Sequence, residues 1–248
     1  PTYNEKENIR QLVRQLLDLP IPIDVVVIDD NSPDGTGQLA DQLAAADGRV
    51  HVVHRAGKLG LGTAYIAGFK YALAGRYDRI MTMDADFSHH PRYIPAMVEK
   101  SRSECDLVIG SRYVRGGGTS GWPLPRKVLS WGANRFAKAM LGLQARDCTA
   151  GFRCYRRQVL ESIPLDTVRS NGYSFLMEML YRCQCRGWRV GEVPILFENR
   201  RLGASKISKQ EIIKAMLTVL RLGRERLLSL GNRREQSREE REAMHGTH

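Results

Sequence analysis

The chain has 248 residues, 42% of them hydrophobic, and carries a formal net charge of +11. That much apolar material supports one sizeable core, and no stretch reaches the ~20 uninterrupted apolar residues of a membrane span, so a wholly disordered chain and a bundle of spanning helices are both excluded. The basic excess points to an anionic partner (phosphates, nucleic acid or an acidic membrane surface) without choosing among them.

Five cysteines, at 105, 148, 154, 183 and 185, make an odd set without zinc spacing, and Cys183-Gln-Cys185 is too tight for a C-x2-C knuckle. Reduced thiols in a cytosolic setting are expected. The sequence opens at Pro1 in PTYNE with no initiator Met, as expected of a fragment whose first strand lies upstream.

In chain order, Ile9, Leu12, Val13, Leu16 and Leu17 predict a helix over residues 5–19, which Pro20 and Pro22 stop. IDVVVIDDNSPDGTG reads as a β-branched strand entering a polar turn. A helix over 38–46, a strand over 50–54 and a helix over 63–74 follow, the last preceded by the glycine-rich KLGLG. RIMTMDAD reads as a strand, 95–102 as a helix and DLVIGSRY as a strand. The pattern then loosens. GGGTSGWPLPRK is expected to be a flexible loop, followed by helices over 128–140 and 174–187, and EVPILFENRRLGASK by a strand leaving into a basic loop. Residues 209–230 form an amphipathic basic helix, and 231–248 a polar disordered tail.

Alternating strands and helices at this spacing predict an α/β fold with a mainly parallel central sheet and helices on both faces, ligands sitting beyond the carboxyl ends of the strands. The polar turns after VVVI and IMTM then share a rim. In an extended chain Asp84 and Asp86 project to one side and can address one cation. Oxygen donors suit Mg²⁺ or Mn²⁺, ions that keep positions for water and substrate phosphate. His89 and His90 are adjacent and point apart, so turn or packing roles are expected of them. Asp30 can accept hydrogen bonds from a base or ribose, while Asp34-Gly35 forms the turn. KLGLG could cradle phosphate at a helix N-terminus, although it lacks the dinucleotide and P-loop spacings.

In this order, PTYNE, VVVIDDNSPDGTG, KLGLGTAYIAGF, MDADFSHHP, GSRY, GWPLPRK, DCTAGFRCY and GEVPILFENRRLGASK resemble the polyprenol-phosphate (dolichol-phosphate) mannose synthases, inverting glycosyltransferases of family two with the GT-A fold. The likeness runs from Pro1 to about residue 228. It implies a catalytic domain over 1–208, with 209–230 as a membrane-interface element. It implies that Pro1, Tyr3, Glu5, Ile28 and Asp30 contact the nucleotide of GDP-mannose, and that Asp84, Ala85 and Asp86 form the D-x-D segment, with Ser88 as a further metal or water ligand. Arg112 and Arg126 are expected near the reacting phosphates, where a planar guanidinium suits bidentate contact. Arg200 and Lys206 match a basic loop expected to close over the sugar nucleotide. The implied acceptor is a polyprenyl or dolichyl phosphate, whose second pKa near ~6 leaves it largely dianionic at neutral pH. No general base is then required; Glu178 is the candidate if the acceptor is a hydroxyl.

The implied location is the cytoplasmic face of a membrane, peripherally bound. Ile212, Ile213, Met216, Leu217, Leu220 and Leu227 lie on a helix that also carries Lys209, Lys214, Arg221, Arg224 and Arg226. Either its apolar side lies in lipid or it packs on the catalytic core. A membrane-embedded partner or fused domain is compatible with the resemblance. The alternatives are a UDP-sugar-dependent transferase, for example of glucose, and a basic nucleic-acid-binding protein. Nucleic acid is not expected as a partner, because aromatics are not interleaved with the basic clusters.

Overall fold

The computed structural model describes residues 1–199 and 213–227. Helix α1 (Lys6–Leu17) buries Ile9, Leu12, Val13 and Leu16, the spacing of one helical face. Its first turn is tied to the next polar turn: the Glu5 N–H donates to Thr36 Oγ1 and the Lys6 N–H to Asp34 Oδ2. Those bonds satisfy donors that a helix start leaves unpaired.

Strand β1 (Val25–Asp29) pairs in parallel with β2 (Val50–His54), with α2 (Thr36–Ala46) between them. Helix α3 (Leu61–Ala74) then leads to β3 (Arg79–Thr82), α4 (Ile94–Ser103) and β4 (Leu107–Ser111). A four-stranded sheet runs β3-β6-β4-β7, built with β6 (Arg153–Arg156) and β7 (Val190–Pro194). Strands β3, β4 and β7 share a direction, and β6 lies antiparallel between β3 and β4. The sheet is therefore mainly parallel, as expected, with one reversed strand.

Its faces are covered on both sides, and β4 and β6 show why. Leu107, Ile109 and Tyr155 enter one core with Phe69 of α3, Leu141 of α5 (Leu124–Leu141) and Phe175 of α7 (Tyr173–Cys185). Val108 and Cys154, one residue out of phase, enter the other with Leu12 of α1, Ala40 of α2 and Met97 of α4. Successive strand residues point to opposite faces, so a strand buried on both sides reads as a continuous apolar run, as LVI in β4 does. Short α6 (Arg157–Glu161) adds Val159 and Leu160 to the first core.

Two expectations are corrected. The strand expected over RIMTMDAD ends at Thr82, and residues 85–89 lie in a bend in which Phe87 takes φ +61°. The loop expected over GGGTSGWPLPRK contains β5 (Gly118–Thr119), paired with β8 (Leu196–Phe197), and α5 begins inside it at Leu124, where proline at the first or second helical position is compatible with an N-terminus. All five cysteines are free, with Cys185 alone exposed.

Residues 213–227 form a helix, α8, whose Val219 and Leu222 pack into the first core beside Leu141. No helix among the described residues is long and apolar enough to cross a membrane. The expected tail, 231–248, lies outside the described residues.

Candidate active site

Pro1, Glu5, Asp30 and Asp84 converge, with Asp84, Asp30, Arg55 and Glu5 among the charged side chains near the Pro1 backbone. Tyr3 lies beside them, with Lys58 Nζ 4.3 Å over its ring. Asp30, at the end of β1, gives one carboxylate oxygen to Arg55 Nη1, and both side chains are more than nine-tenths buried. Burial pushes the Asp30 carboxyl above its ordinary range even though Arg55 opposes the shift. Its neighbour Asp29 does different work: its oxygens accept from Thr2 Oγ1, Ser32 Oγ and the Ser32 N–H, which fixes the turn. Ile28 is 3% exposed and touches the close-approaching Gly68 of α3, so in this state it packs β1 against that helix.

The D-x-D segment is shaped from below by His89. Its Nδ1 accepts from the Asp84 N–H at 3.1 Å and its ring stacks on Phe152 at 5.1 Å. Burial holds the imidazole below its ordinary pKa, against the pull of Asp84 and Asp86. A neutral ring with Nδ1 accepting carries its proton on Nε2. Asp86 is buried and its Oδ1 accepts from the Ser88 N–H at 3.0 Å. The Ser88 hydroxyl, also buried, has no hydrogen-bond partner among the described residues. Asp84, Asp86 and Ser88 thus bring hard oxygen donors to one bend, a set that fits Mg²⁺ or Mn²⁺. Among the described residues no three His, Cys, Asp or Glu side chains form a metal cluster. A cation here would take the rest of its shell from phosphate and water.

Arg112 follows β4 on the other side of His89, whose charged neighbours include both Arg112 and Asp147. Asp147 grips Arg112 through Nε at 2.7 Å, Nη2 at 2.6 Å and the backbone N–H at 3.0 Å, and Thr149 Oγ1 accepts from Nη2. Burial disfavours both charges, but each holds the other ionised: Asp147 below its ordinary range and Arg112 above. Asp147 is itself pinned, its N–H donating to Glu192 on β7, while Asn134 of α5 accepts from Cys148 N–H. Arg112 opens into a cavity of about 280 Å³ lined also by Tyr113, Lys127, Val128 and Trp131. Arg126 lies one turn into α5, 4.0 Å over the Trp122 ring, and donates to Asn199 Oδ1.

Residues 1–163 match the sequence model of Glycosyl transferase family 2. The chain belongs to that family. An undecaprenyl-phosphate mannosyltransferase of Micrococcus luteus is 48% identical over 223 residues, covering 90% of this chain and 91% of its own. A polyprenol monophosphomannose synthase of Mycolicibacterium smegmatis is 47% identical over 224 residues, covering 90% and 84%. Among solved structures, glucosyl-3-phosphoglycerate synthase from Mycobacterium tuberculosis, in complex with Mn²⁺, uridine-diphosphate and glucosyl-3-phosphoglycerate, superposes with a TM-score of 0.63 at 21% identity, covering 90% of this chain and 77% of that one. That likeness establishes the GT-A fold expected from the sequence.

For this family 2 chain, the structure brings Pro1, Glu5, Asp30 and Asp84 together, with Tyr3 beside them under Lys58, carries Ala85, Asp86 and Ser88 on the bend that follows Asp84, and sets Arg112 at the cavity. Arg200 and Lys206 lie outside the described residues. His89 and His90 have the turn roles expected, the latter accepting from the Arg92 N–H. The phosphate-cradle reading of KLGLG meets a competitor: the Gly62 N–H at the start of α3 donates to Asn171 Oδ1 at 2.8 Å. Asn171 also fills the space at Gly60, whose φ is +101°. Glu178 is buried and consumed, accepting from Ser170, Arg182 and Arg221. Sequence reasoning missed Arg55, Asp147 and Lys127. DCTAGF was visible as a motif, but only the fold brings its aspartate to Arg112, 35 residues away.

Proposed function

We propose that this protein transfers mannose from GDP-mannose to the phosphate of a polyprenyl monophosphate, inverting the anomeric centre to give a β-linked lipid phosphate sugar. The observation that carries the reading is the cavity in which Arg112 and Lys127 meet Val128 and Trp131. Cations there suit a phosphate monoester, and the apolar wall suits the first prenyl units of its tail. The relatives named for polyprenyl-phosphate mannosyl transfer support the same substrate class.

Tyr3, Glu5 and Asp30 bind the nucleoside, and Asp84, Asp86 and Ser88 are the residues that would hold a Mg²⁺ or Mn²⁺; Arg200 and Lys206 add positive charge. When bound, the cation supplies Lewis-acid neutralisation of the departing diphosphate. Arg112, oriented by Asp147, and Lys127 present the acceptor phosphate, with Arg126 at the edge of this site. A phosphate oxygen forms the new bond to the anomeric carbon as the bond to the GDP oxygen breaks on the opposite face. The nucleophile is already ionised, so no side chain has to remove a proton.

The protein works as a peripheral protein at a cytoplasmic membrane face, where an isoprenoid acceptor resides. Ile213, Met216, Leu217, Leu220 and Leu227 of α8 are exposed, as are Leu124, Val128 and Trp131 of α5. Val219 and Leu222 pack on the core. Helix α8 therefore has an anchored face and an open apolar face, and the open one carries five of the six apolar residues singled out in the sequence, Ile212 lying outside the described residues.

The test is incubation with radiolabelled GDP-mannose, a short polyprenyl phosphate and Mn²⁺ or Mg²⁺, beside Asp86→Ala. Label is expected in the organic phase and lost with the variant. Transfer from a UDP-sugar in place of GDP-mannose would overturn the donor assignment.

A further inference from the structure

Tyr65 sits in the middle of α3, 2% exposed, with its ring stacked on Phe175 at 5.5 Å and 8°. Its hydroxyl is buried and has no hydrogen-bond partner among the described residues. Burial, and secondarily the charge of Asp84, raise the phenol well above its ordinary pKa, so it stays a hydroxyl and a donor.

What lies in front of that hydroxyl is the space over Gly151. A Cβ at Gly151 would come 2.9 Å from the Tyr65 hydroxyl and 3.7 Å from Asp84 Oδ1. Hydroxyl and carboxylate therefore border one small gap, and glycine keeps it open. The gap is fixed in place, because Gly151 O accepts from Thr82 Oγ1 at 2.6 Å, at the end of β3 just before the D-x-D bend. A buried hydroxyl without a partner destabilises the fold, and phenylalanine would keep the stack on Phe175 without that penalty. The polar atom makes physical sense if it acquires a partner in another state.

We propose that Tyr65 is a positioning residue for Asp84: when a nucleoside-diphosphate donor and its divalent cation bind, its hydroxyl donates to the Asp84 carboxylate across the gap over Gly151, directly or through one water. The inference rests on the reading of Asp84 and Asp86 as the cation-facing pair. The bond would fix which carboxylate edge meets the cation, as a group behind a metal ligand does elsewhere.

The experiment compares wild type, Tyr65→Phe, Gly151→Ala, their double variant and Asp86→Ala. It measures thermal unfolding of the unliganded protein and calorimetric binding of GDP with Mn²⁺ or with EDTA, using UDP if the wild type takes no GDP. Tyr65→Phe is expected to melt at or above wild type, to bind the nucleotide about tenfold more weakly with Mn²⁺ and to be unchanged in EDTA. Gly151→Ala should lose the same Mn²⁺-dependent affinity, and the double variant no more than either single one. Unchanged Mn²⁺-dependent affinity in Tyr65→Phe overturns the proposal, as do additive losses in the double variant. If Asp86→Ala also keeps that affinity, the cation site itself has been misread; if it loses it, only the role of Tyr65 falls.

Discussion

The two halves of the site are built by opposite means. On the side proposed to take the donor, short-range turns do much of the work: Asp29 and Asp34 fold the residues just after them, and His89 reaches back five residues to the Asp84 N–H, while Thr2, Lys6 and Arg55 join those turns together from farther along the chain. On the side proposed to take the acceptor, Arg112 depends on Asp147, which depends on Glu192 and lies beside Asn134 of α5, so one guanidinium is placed by four separate stretches of chain. The rim around Asp30 and Asp84 is consequently polar, its single turns locally encoded but its assembly held by long-range bonds such as Asp30 to Arg55 and Glu5 to Thr36. The cavity beside Arg112 is wholly a tertiary product, with exposed apolar side chains at its margin.

Breaking the long-range half should therefore be the more damaging. Asp147→Ala leaves the buried Arg112 charge without its carboxylate, and a broken buried pair costs about 3–5 kcal/mol. A fall in the urea midpoint together with near-complete loss of transfer is expected. A variant that unfolds like wild type would show that Arg112 finds another partner.

Glu178 sharpens the comparison further, since it links α7 to α8 through Arg221 and to loop 169–172 through Ser170. Burial raises its carboxyl, but the hydrogen bonds from Ser170 and Arg182 and the charges of Arg182 and Arg221 outweigh that and hold it below its ordinary value. A carboxylate lowered in the folded state adds stability above its unfolded pKa. That contribution disappears as pH falls through the lower folded value, and Glu178→Gln should remove it. We expect a loss of about 1–3 kcal/mol at pH 7 that shrinks in acid titrations below about pH 4, followed by circular dichroism.

The open face of α8 gives a smaller effect of another kind. Leu217→Ser with Leu220→Ser changes exposed residues, so unfolding should move by no more than about 0.5 kcal/mol. Flotation with anionic vesicles should nevertheless drop several-fold if these leucines enter lipid. Equal flotation would assign membrane contact to other residues. Smallest of all is Lys70→Ala, which breaks the exposed pair with Asp166 and should shift stability by about 0–1 kcal/mol in thermal melts.

Much of this was legible in the chain. Period-3.6 apolar spacing gave α1 to within a few residues at each end, and β-branched runs gave β1 and β2, because those patterns reflect which face of an element is buried. The reversal of β6 was not legible, since RCYR carries no mark of strand direction. Nor was the start of α5 inside a stretch rich in glycine and proline, where local signals favoured a loop. In the site, D-x-D stood out by composition alone, whereas the extended-strand geometry assigned to it failed after Thr82, where the chain leaves the sheet for a bend that includes Phe87 at a left-handed φ.

The sequence by itself determined most of the helices and strands of the first half and the polar turn after β1, because these depend on neighbours within a few residues. Tertiary structure decided that Asp147 serves Arg112, that Asn171 takes the Gly62 amide at the start of α3, and that Val219 and Leu222 rather than Leu217 and Leu220 bury against the core. Each of those outcomes joins groups far apart in the chain, and an amphipathic pattern says that a helix has an apolar face without saying what will cover it.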